Sequence, residues 1–453
     1  MNKRYIPGVE SPKHLADEYD YLHCLGRELA RGGQGVVYRT SDDDLAVKQP
    51  LNAAGELDNT AGLRKRFQNI RLLPLPPRIP ISMPLAILRD KPGDEPGYVM
   101  RLLNGMKPFS HFNLNGKTKI ELDKQPLPQW LMNIPDKDFA LNLFHYAQTG
   151  STRRRLYALA KCASILARLH CAGLVYGDIS PENVFADEGE KFDVWLIDAD
   201  NLRFELAKGG KSVYTPHYGA PEIIRGLDQS RPRTDCWAFA VLAFTTIALC
   251  HPFIGKNVLK PNDEENGWDA EPAADGAPDD LNEKAYAGFL PFVDDKDDDS
   301  NASVCGLPRE LTATPELRLL FQDTFGTGRT KPHRRPSMAF WAFELTRASD
   351  KSLLCPNCKM SYFADSHKKC PYCAKPRPAF VRVKTQRWEI IVSADTNEFS
   401  LPHRLFNPFS FEHNDDDTEY DALLDFTKKS VQPVRGTKPF PENLAFIFEE
   451  VVK

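Results

Sequence analysis

The most constraining feature of the chain is a pair of short acidic segments, 175–185 and 196–200. The first holds a carboxylate, Asp178, and a carboxamide, Asn183, within one loop, and the second brings the carboxylate of Asp198 directly after an apolar run. Where a hydroxyl meets a nucleotide phosphate, one carboxylate orients the hydroxyl or accepts its proton, while an Asn and a second Asp hold Mg²⁺. The two segments therefore predict a site of this kind.

The bulk composition narrows the class of protein. A chain of 453 residues suits roughly two to four domains, and 42% hydrophobic with 26% charged residues is ordinary for a soluble globular protein. The net charge of −4 gives no reason to expect nucleic-acid binding. Residues 1–20 show no signal peptide, and the longest apolar run, 236–250, fits a buried helix better than a membrane span. We therefore expect a cytoplasmic protein without a membrane segment.

A glycine-rich turn near the start of the chain is a candidate phosphate cradle. It lies within 29–38, and Leu45-Ala-Val-Lys48 reads as the strand that follows. Glycines let the backbone approach phosphate oxygens, and a lysine supplies them with positive charge. Taken alone, the glycines fit a simple tight turn equally well. The candidate nucleotide-contacting residues here are Ala30, Gly32, Gly33, Gly35, Val37 and Lys48.

Further motifs follow in a fixed order. The segment 211–222 ends in Ala-Pro-Glu, 234–240 reads Thr-Asp-Cys-Trp-Ala-Phe-Ala, and 333–337 reads His-Arg-Arg-Pro-Ser. An amphipathic helix is predicted over 156–170, directly before the first acidic segment. Any one of these motifs could arise by chance, but their joint order could not plausibly do so.

Together the motifs closely resemble those of the bacterial Hanks-type, or eukaryotic-like, serine/threonine protein kinases. The resemblance covers about residues 22–348 and implies an α+β, bilobal protein-kinase-like fold. The N-lobe would span about 22–104 and the C-lobe about 105–348, with insertions at about 105–150 and 258–302. The second insertion is rich in acidic residues and is expected to be a solvated loop.

The resemblance also implies roles for individual residues in phosphate transfer. ATP would lie beneath the glycine-rich turn, with Lys48 on its α- and β-phosphates and Asn183 and Asp198 on Mg²⁺. Asp178 would orient a Ser or Thr hydroxyl of a protein substrate and accept its proton. Adenine would face backbone groups near the interlobe hinge. The hinge candidates are Met100 and Leu102.

Four further positions match motif residues of the same family. Thr215 would belong to the loop that receives the peptide substrate. Glu222 and Arg335 would form a buried ion pair, and Asp235 would brace the catalytic loop. We expect these last three residues to be structural.

Four departures from the family pattern bear on activity. Tyr176-Gly177 replaces His-Arg, which removes the usual receiver of an activation-loop phosphate. Ser180 replaces a lysine that contacts the transferred phosphate, and Ala199-Asp200 replaces Phe-Gly. Finally, the helix predicted over 63–73 contains no Glu to pair with the β-strand lysine.

The acidic or polar partner of Lys48 is therefore open on sequence grounds. Glu56 lies closer to Lys48 than the family pattern would place it, and Gln68 or Asn69 could occupy the partner position. The departures also keep two functions open besides a protein kinase. One is a pseudokinase or scaffold that binds partners through the modules after residue 350, and the other is a kinase of a small molecule.

Two Cys-x-x-Cys pairs follow the kinase-like region, within 352–378. Each Cys-Pro-x-Cys forms a tight knuckle with two thiolates, and two knuckles suit a tetrahedral Zn²⁺ site. The predicted ligands are Cys355, Cys358, Cys370 and Cys373. The segment resembles a zinc ribbon, whose role would be structural stabilisation or docking of a partner; nucleic-acid binding is a weaker third option.

The remaining ends of the chain complete the predicted organisation. Residues 1–21 are read as a loose lead-in, and 379–453 as a small β-rich interaction domain without a catalytic cluster. Kinases of the resembled subgroup that carry a C-terminal zinc ribbon are often associated with von Willebrand A-type and protein-phosphatase 2C-type partners. The resemblance implies such partners here.

Overall fold

The computed structural model describes residues 13–33, 35–89, 91, 93–189, 192–205, 214–259, 280–408 and 420–451. Parts of four predicted features lie outside these residues. They are the start of the lead-in (1–12), Gln34 of the glycine-rich turn, positions 211–213 of the Ala-Pro-Glu segment, and 260–279 of the acidic insertion.

A six-stranded antiparallel sheet forms the N-terminal part, with strand order β1-β2-β3-β4-β6-β5. Strand β1 lies within the segment predicted to be a loose lead-in, so that prediction is wrong for His14–Ala16: the strand pairs with β2, and Leu15 is buried in an apolar cluster with residues of this sheet. The strands are β1 His14–Ala16, β2 Leu22–Gly32, β3 Gly35–Thr40, β4 Leu45–Pro50, β5 Ala86–Ile87 and β6 Tyr98–Arg101.

Helices make up most of the part that follows. The long helix α4 and the apolar helix α6 pack together in the largest core, and α12 packs along α4. Among the described residues, no helix is both long and apolar enough to cross a membrane. The helices are α1 Leu63–Arg71, α2 Gly116–Asp123, α3 Lys137–Gln148, α4 Ser151–Cys171, α5 Pro221–Ile224, α6 Pro232–Ala248, α7 Lys256–Leu259, α8 Leu281–Tyr286, α9 Arg309–Thr312, α10 Pro315–Gln322, α11 Gly328–Thr330 and α12 Met338–Asp350.

Five short strands place the two acidic segments side by side. Strands β9 and β10 form an antiparallel hairpin, and the N–H of Ile197 donates to the carbonyl of Asn183 at 3.0 Å where that hairpin opens. The first acidic loop therefore enters the hairpin and the second leaves it at the same end. The strands are β7 Lys107–Pro108, β8 Leu174–Val175, β9 Val184–Ala186, β10 Val194–Leu196 and β11 Arg203–Phe204.

The described residues of the C-terminal part, 352–408 and 420–451, contain eight strands. Strands β12 and β13 pair in the cysteine-containing segment, and two three-stranded sheets follow, in the orders β15-β14-β19 and β16-β17-β18. Strands β17 and β18 were not predicted. The strands are β12 Ser352–Leu354, β13 Ser361–Phe363, β14 Phe380–Lys384, β15 Glu389–Ser393, β16 Glu398–Ser400, β17 Asp421–Asp425, β18 Ser430–Pro433 and β19 Ala445–Glu449.

The cysteine-containing segment packs into the helical part. Its buried residues share one apolar cluster with Leu143 and Tyr146 of α3, which lies in the first predicted insertion. At the start of α4, the backbone N–H of Arg153 donates to the hydroxyl of Ser361 at 2.8 Å, and the N–H of Ser361 donates to the hydroxyl of Ser151 at 2.8 Å. The segment thus provides hydrogen-bond partners for polar groups at the N-terminal end of α4, the helix that precedes the loop with Asp178.

Candidate active site

Asp178 is held in a buried hydrogen-bond network at the end of β8. The Asn183 side-chain amide donates to the backbone carbonyl of Asp178 at 2.9 Å and to its carboxylate at 3.2 Å. The hydroxyl of Thr215 donates to the other carboxylate oxygen at 2.8 Å. Burial raises the pKa of Asp178, although these two hydrogen bonds and the charge of Lys48 oppose the shift. The three residues predicted to meet the substrate hydroxyl, the metal and the peptide are therefore in direct contact.

Lys48 lies between two carboxylates from the second acidic segment. Its Nζ donates to Oδ1 of Asp198 and, at 2.7 Å, to Oδ2 of Asp200. The partner of Lys48, which the sequence left open among Glu56, Gln68 and Asn69, is therefore a residue outside those three. The partner beyond the predicted metal ligand is Asp200, which stands where the family pattern has Gly.

Asp200 is itself fixed from a second side. Its Oδ1 accepts a hydrogen bond from the hydroxyl of Tyr98 at 2.8 Å, and its backbone carbonyl accepts one from Arg66 of α1 at 2.7 Å. Lys48 and Asp200 are both at least nine-tenths buried. The sequence did indicate that this contact was possible. The helix predicted over 63–73 contains no acidic residue, whereas the second acidic segment has a carboxylate, Asp200, where the family pattern has Gly.

The electrostatics of this cluster follow from burial and from the single lysine that the carboxylates share. Burial lowers the pKa of Lys48, but the charges of Asp200 and Asp198 outweigh it and the net pKa is raised. Burial raises the pKa of Asp198, only partly offset by Lys48, whereas the pKa of Asp200 is lowered because Lys48 and Tyr98 outweigh its burial. Asp200 is therefore the more firmly ionised partner of Lys48.

Asp235 contacts the loop that carries Asp178. Its carboxylate accepts hydrogen bonds from the backbone N–H of Tyr176 at 2.8 Å and of Gly177 at 2.9 Å, and lies 3.0 Å from Nε2 of His170. Asp235 comes from the first turn of α6, so the core helix and the loop are joined directly. This is the contact expected of a bracing residue.

The residues that replace His-Arg fit their backbone positions. The buried Tyr176 donates its hydroxyl to the carbonyl of Ile197, directly before Asp198, and so links the two acidic segments. Gly177 has φ +85°, a conformation that is strained for residues with a side chain. Asp198 also lies in the left-handed region, at φ 58°, where Asp is better tolerated than most residues.

The glycine-rich turn joins β2 to β3. A Cβ on Gly35 would come within 2.9 Å of the carbonyl of Gln49 and 3.0 Å of Cε of Lys48, so Gly35 permits the close approach of β3 to the lysine strand. A Cβ on Gly32 or Gly33 would meet no atom within 4 Å. Packing does not require glycine at these two positions, and the open space above them fits a loop that approaches a ligand. Ala30 and Val37 are paired across the hairpin.

The predicted hinge is partly engaged within the protein. Met100 is buried in β6 and contributes to the main core. The N–H of Leu102 donates to the carbonyl of Asp44 at 2.7 Å. That donor is therefore engaged within the protein, and the prediction that backbone groups near Met100 and Leu102 face adenine stays a prediction.

Glu222 and Arg335 are in contact. The guanidinium donates to both carboxylate oxygens, at 2.6 and 2.8 Å, and also to the backbone carbonyls of Gly328 and Arg233. Arg335 is 1% exposed and lies over the ring of Trp237. This pair therefore joins the end of the Ala-Pro-Glu segment to the last helices of the region.

The four cysteines of the C-terminal segment converge. Their sulfur atoms all lie within 4.8 Å of one another. The separations Cys355–Cys373 and Cys358–Cys370 are 3.7 and 3.6 Å, close to the edge of ~3.8 Å that Zn–S bonds of ~2.3 Å give in a tetrahedron and far from the ~2.05 Å of a disulfide. The donor set and its spacing therefore fit Zn²⁺.

Oxygen ligands for a second kind of cation come from the acidic segments. Asn183 and Asp198 offer a carboxamide and a carboxylate oxygen, which are hard ligands of the type that Mg²⁺ prefers. The two residues leave opposite strands of the β9–β10 hairpin at one end. The residues present therefore fit Mg²⁺ bound with a nucleotide.

A comparison with protein families finds the protein kinase domain, matched over residues 141–271. This range contains the segments with Asp178, Asn183, Asp198, Glu222 and Asp235. The match confirms the prediction of a protein kinase domain.

Curated proteins similar to the chain include several kinases. The serine/threonine-protein kinase PknD of Chlamydia abortus is 26% identical over 269 residues, covering 54% of this chain and 26% of that protein. The inhibitor of nuclear factor kappa-B kinase subunit beta of Mus musculus is 30% identical over 148 residues, or 28% of this chain and 19% of that protein. Ribosomal protein S6 kinase alpha-3 of Homo sapiens is 36% identical over 107 residues, or 22% and 14%.

The chain thus spans about a quarter or less of the length of these relatives. The names of these relatives describe protein kinases, and the family model covers the segments that contain Asp178, Asn183 and Asp198. These matches support the prediction that the chain is a serine/threonine protein kinase.

Proposed function

We propose that the protein is an ATP-dependent serine/threonine protein kinase that transfers the γ-phosphate of ATP–Mg²⁺ to hydroxyls of protein substrates. The observation that carries the proposal is the contact network of Asp178 with Asn183 and Thr215, one hairpin away from Lys48 and Asp198. In this proposal, a base, metal ligands, a phosphate-binding cation and a peptide-side residue share one cleft, and their contacts support it. Such a site catalyses mainly by positioning and charge neutralisation.

In the proposed reaction, Asp178 holds the substrate hydroxyl in line with the γ-phosphate. The hydroxyl oxygen forms a bond to the γ-phosphorus while the bond from that phosphorus to the bridging oxygen of ADP breaks, and the hydroxyl proton passes to Asp178. Lys48 neutralises charge on the α- and β-phosphates. Mg²⁺, held by Asn183 and Asp198, would supply further neutralisation of the phosphate oxygens.

The departures from the family pattern predict differences from other protein kinases in turnover rate and in regulation. Ser180, which is buried, offers no cation to the transferred phosphate, so turnover is expected to be slow. Gly177 offers no guanidinium to an activation-loop phosphate. Regulation would therefore come from partners bound to the C-terminal modules, and the family resemblance points to von Willebrand A-type and phosphatase 2C-type proteins.

The proposal includes the organisation of the chain. The kinase domain would span about 22–348 in two lobes, followed by a Zn²⁺-binding ribbon at 352–378 and a β-rich interaction domain from 379. The zinc ligands would be the four converging cysteines. The contacts of the ribbon with α3 and α4 support a stabilising role within the kinase domain.

A pseudokinase is the second candidate, favoured by the four departures. Against it, the chain keeps a complete set of interacting polar groups in the cleft, and burying such groups has a cost that a scaffold need not bear. The segment containing Thr215 lies against Asp178, which supports a peptide substrate over a small molecule.

The test is phosphate transfer from ATP–Mg²⁺ to a general protein substrate by the full chain, beside Asp178→Ala and Asp198→Ala. We expect transfer by the unaltered protein and its loss in both variants. Asp193→Ala is a matched control, because this carboxylate is 65% exposed and lies on the same hairpin. Equal phosphate incorporation by all four proteins would refute the catalytic assignment.

A further inference from the structure

We propose that Asp200 is a positioning residue that holds Lys48 on the nucleotide phosphates, in place of the helix glutamate that protein kinases use. The inference rests on the proposed kinase function and identifies the residue that orients the phosphate-binding lysine. In protein kinases generally, a lysine of the third strand must pair with a glutamate of the following helix for activity. Here the contact runs instead to the second acidic segment.

The geometry at Asp200 fits this role. One carboxylate oxygen lies 2.7 Å from Nζ of Lys48, and the other accepts the hydroxyl of Tyr98 at 2.8 Å. Tyr98 is 1% exposed and belongs to β6, the strand that pairs with the lysine strand β4. Because both oxygens are engaged and buried, the carboxylate has one orientation, and Lys48 is directed by it.

Helix α1 contacts Tyr98 and Asp200 and has no glutamate to pair with Lys48. Its buried face presents Phe67, whose ring meets that of Tyr98 edge-on at 4.9 Å. The polar contact that α1 makes with the site comes from a cation, because Arg66 donates to the backbone carbonyl of Asp200 at 2.7 Å. The helix thus supports the main chain of Asp200, and Asp200 supports Lys48.

The two carboxylates that contact Lys48 have different proposed roles. Asp198 is the proposed Mg²⁺ ligand, so its charge is needed by the metal when nucleotide binds. Asp200 has both oxygens committed to protein groups and keeps its contact with Lys48. The lysine is then held by a residue of the same turn as the proposed metal ligand, and α1 supports that residue through Arg66.

A double-mutant cycle tests whether Asp200 acts through Lys48. The variants Lys48→Met, Asp200→Asn and the double substitution are made in the full chain, with Asp193→Asn as the control. We expect Asp200→Asn to lower kcat/KM for ATP about 100-fold in the unaltered background and less than about threefold in the Lys48→Met background. Equal losses in both backgrounds, or no loss in the first, would overturn the proposal.

The conservative variant separates charge from packing. Asp200→Glu keeps the carboxylate, and we expect its kcat/KM to exceed that of Asp200→Asn at least tenfold. Tyr98→Phe leaves the ion pair in place and should lose much less than Asp200→Asn. Equal losses for the Glu and Asn variants would show that the charge is not what positions Lys48.

Unfolding measurements distinguish failure of this inference from failure of the kinase assignment. If the unaltered protein transfers no phosphate, the proposed function fails, while the same cycle read by denaturant unfolding still tests the pair. We expect the substitutions to be non-additive by more than about tenfold in the unfolding equilibrium constant; additivity would refute the pairing. An Asp200→Asn chain that fails to fold while the double variant folds would also show the coupling, and failure of both would overturn it.

Discussion

The catalytic cleft and the four-cysteine site are built on opposite plans. In the cleft, Lys48 meets carboxylates that are 150 and 152 positions away in the chain. At the cysteine site, the paired sulfurs are separated by only 18 and 12 positions. The cleft therefore depends on the packing of the whole kinase-like region, whereas the cysteine site depends on two local knuckles and, in our proposal, on a zinc ion bound between them.

The two sites also balance charge differently. The cleft contains its own cation, since Lys48 offsets the two buried carboxylates. At the cysteine site the four sulfur atoms converge on one another, and as thiolates they would repel each other unless a bound metal ion balanced their charge. Metal removal should therefore affect the cysteine site first, and disruption of a distant ion pair should affect the kinase-like region first.

Loss of a zinc ligand is the largest effect we expect. Cys358→Ser should reduce bound zinc from about one ion per chain to almost none and lower the melting temperature, because a small metal site contributes its folding free energy through the metal. Metal analysis and thermal unfolding measure the two quantities. Cys171→Ser, at an exposed free cysteine of α4, is the control and should leave both unchanged. Undiminished zinc in the Cys358 variant would mean that the ligand set is wrong.

The buried ion pair of the kinase-like region comes next. Arg335→Met should lower the free energy of unfolding by about 3–5 kcal/mol, because Glu222 is then left buried without its partner. The pair of Arg347 with Glu344, whose side chains are 31% and 15% exposed, provides the contrast, and Arg347→Met should change stability by less than about 1 kcal/mol. Denaturant unfolding of both variants checks this, and similar losses would show that burial is not decisive.

Acid should reduce activity at a higher pH than an ordinary aspartate would predict. Burial raises the pKa of Asp178 above 3.8, and only its ionised form accepts the hydroxyl proton. Below that raised pKa, kcat/KM should fall about tenfold per pH unit. A pH profile of phosphate transfer locates the midpoint, and a midpoint at or below 3.8 would contradict the assignment.

Folding stability should depend on the protonation of Asp178 in the opposite direction from activity. Because the pKa of Asp178 is higher in the folded protein than in the unfolded chain, protonation of this group stabilises the fold, and its stabilising contribution is lost as pH rises through the folded pKa. Circular dichroism across the profile should therefore show no unfolding caused by Asp178 on the acid side.

The smallest effect is expected where the two regions meet. Ser361 accepts the N–H of Arg153 at the start of α4, so Ser361→Ala should cost about 1 kcal/mol, as the loss of a helix cap does. Ser366→Ala, at an exposed serine of the same segment, is the control. Equal stability of both variants would show that the hydrogen bond between Ser361 and Arg153 does not couple the cysteine segment to the kinase-like region.

The sites differ in how far sequence could predict them. The cysteine spacing alone indicated a metal site, because its geometry is local. In the cleft, motif order predicted that Asp178, Asn183 and Asp198 share one site with Thr215 and Lys48, and hydrogen bonds join Asp178 to Asn183 and Thr215 and join Lys48 to Asp198. Their roles stay predictions. The role of Asp200 could not be read in the same way, because Asp200 departs from the family motif, so motif order gives it no partner and only the packing of strand and loop reveals one.

Other misses have equally physical causes. Strand β1 is only three residues long and is specified by its pairing with β2 and by burial of Leu15, not by a pattern of its own. Strand β17 carries Asp at both ends, which weakens its apolar pattern, although Ala422 and Leu424 are buried. The packing of α3 against the cysteine segment joins distant parts of the chain, which periodicity within either part cannot reveal.

The central claim is that the cleft performs phosphate transfer and does more than bind a nucleotide. The most direct test measures, on the full chain, both the rate of γ-phosphate transfer to serine or threonine and the dissociation constant of ATP–Mg²⁺, before and after Asp178→Asn. Loss of a general base predicts a fall of at least about 100-fold in rate, with nucleotide affinity changed less than about threefold. Nucleotide binding with no transfer above background in either protein would contradict the claim and identify a pseudokinase.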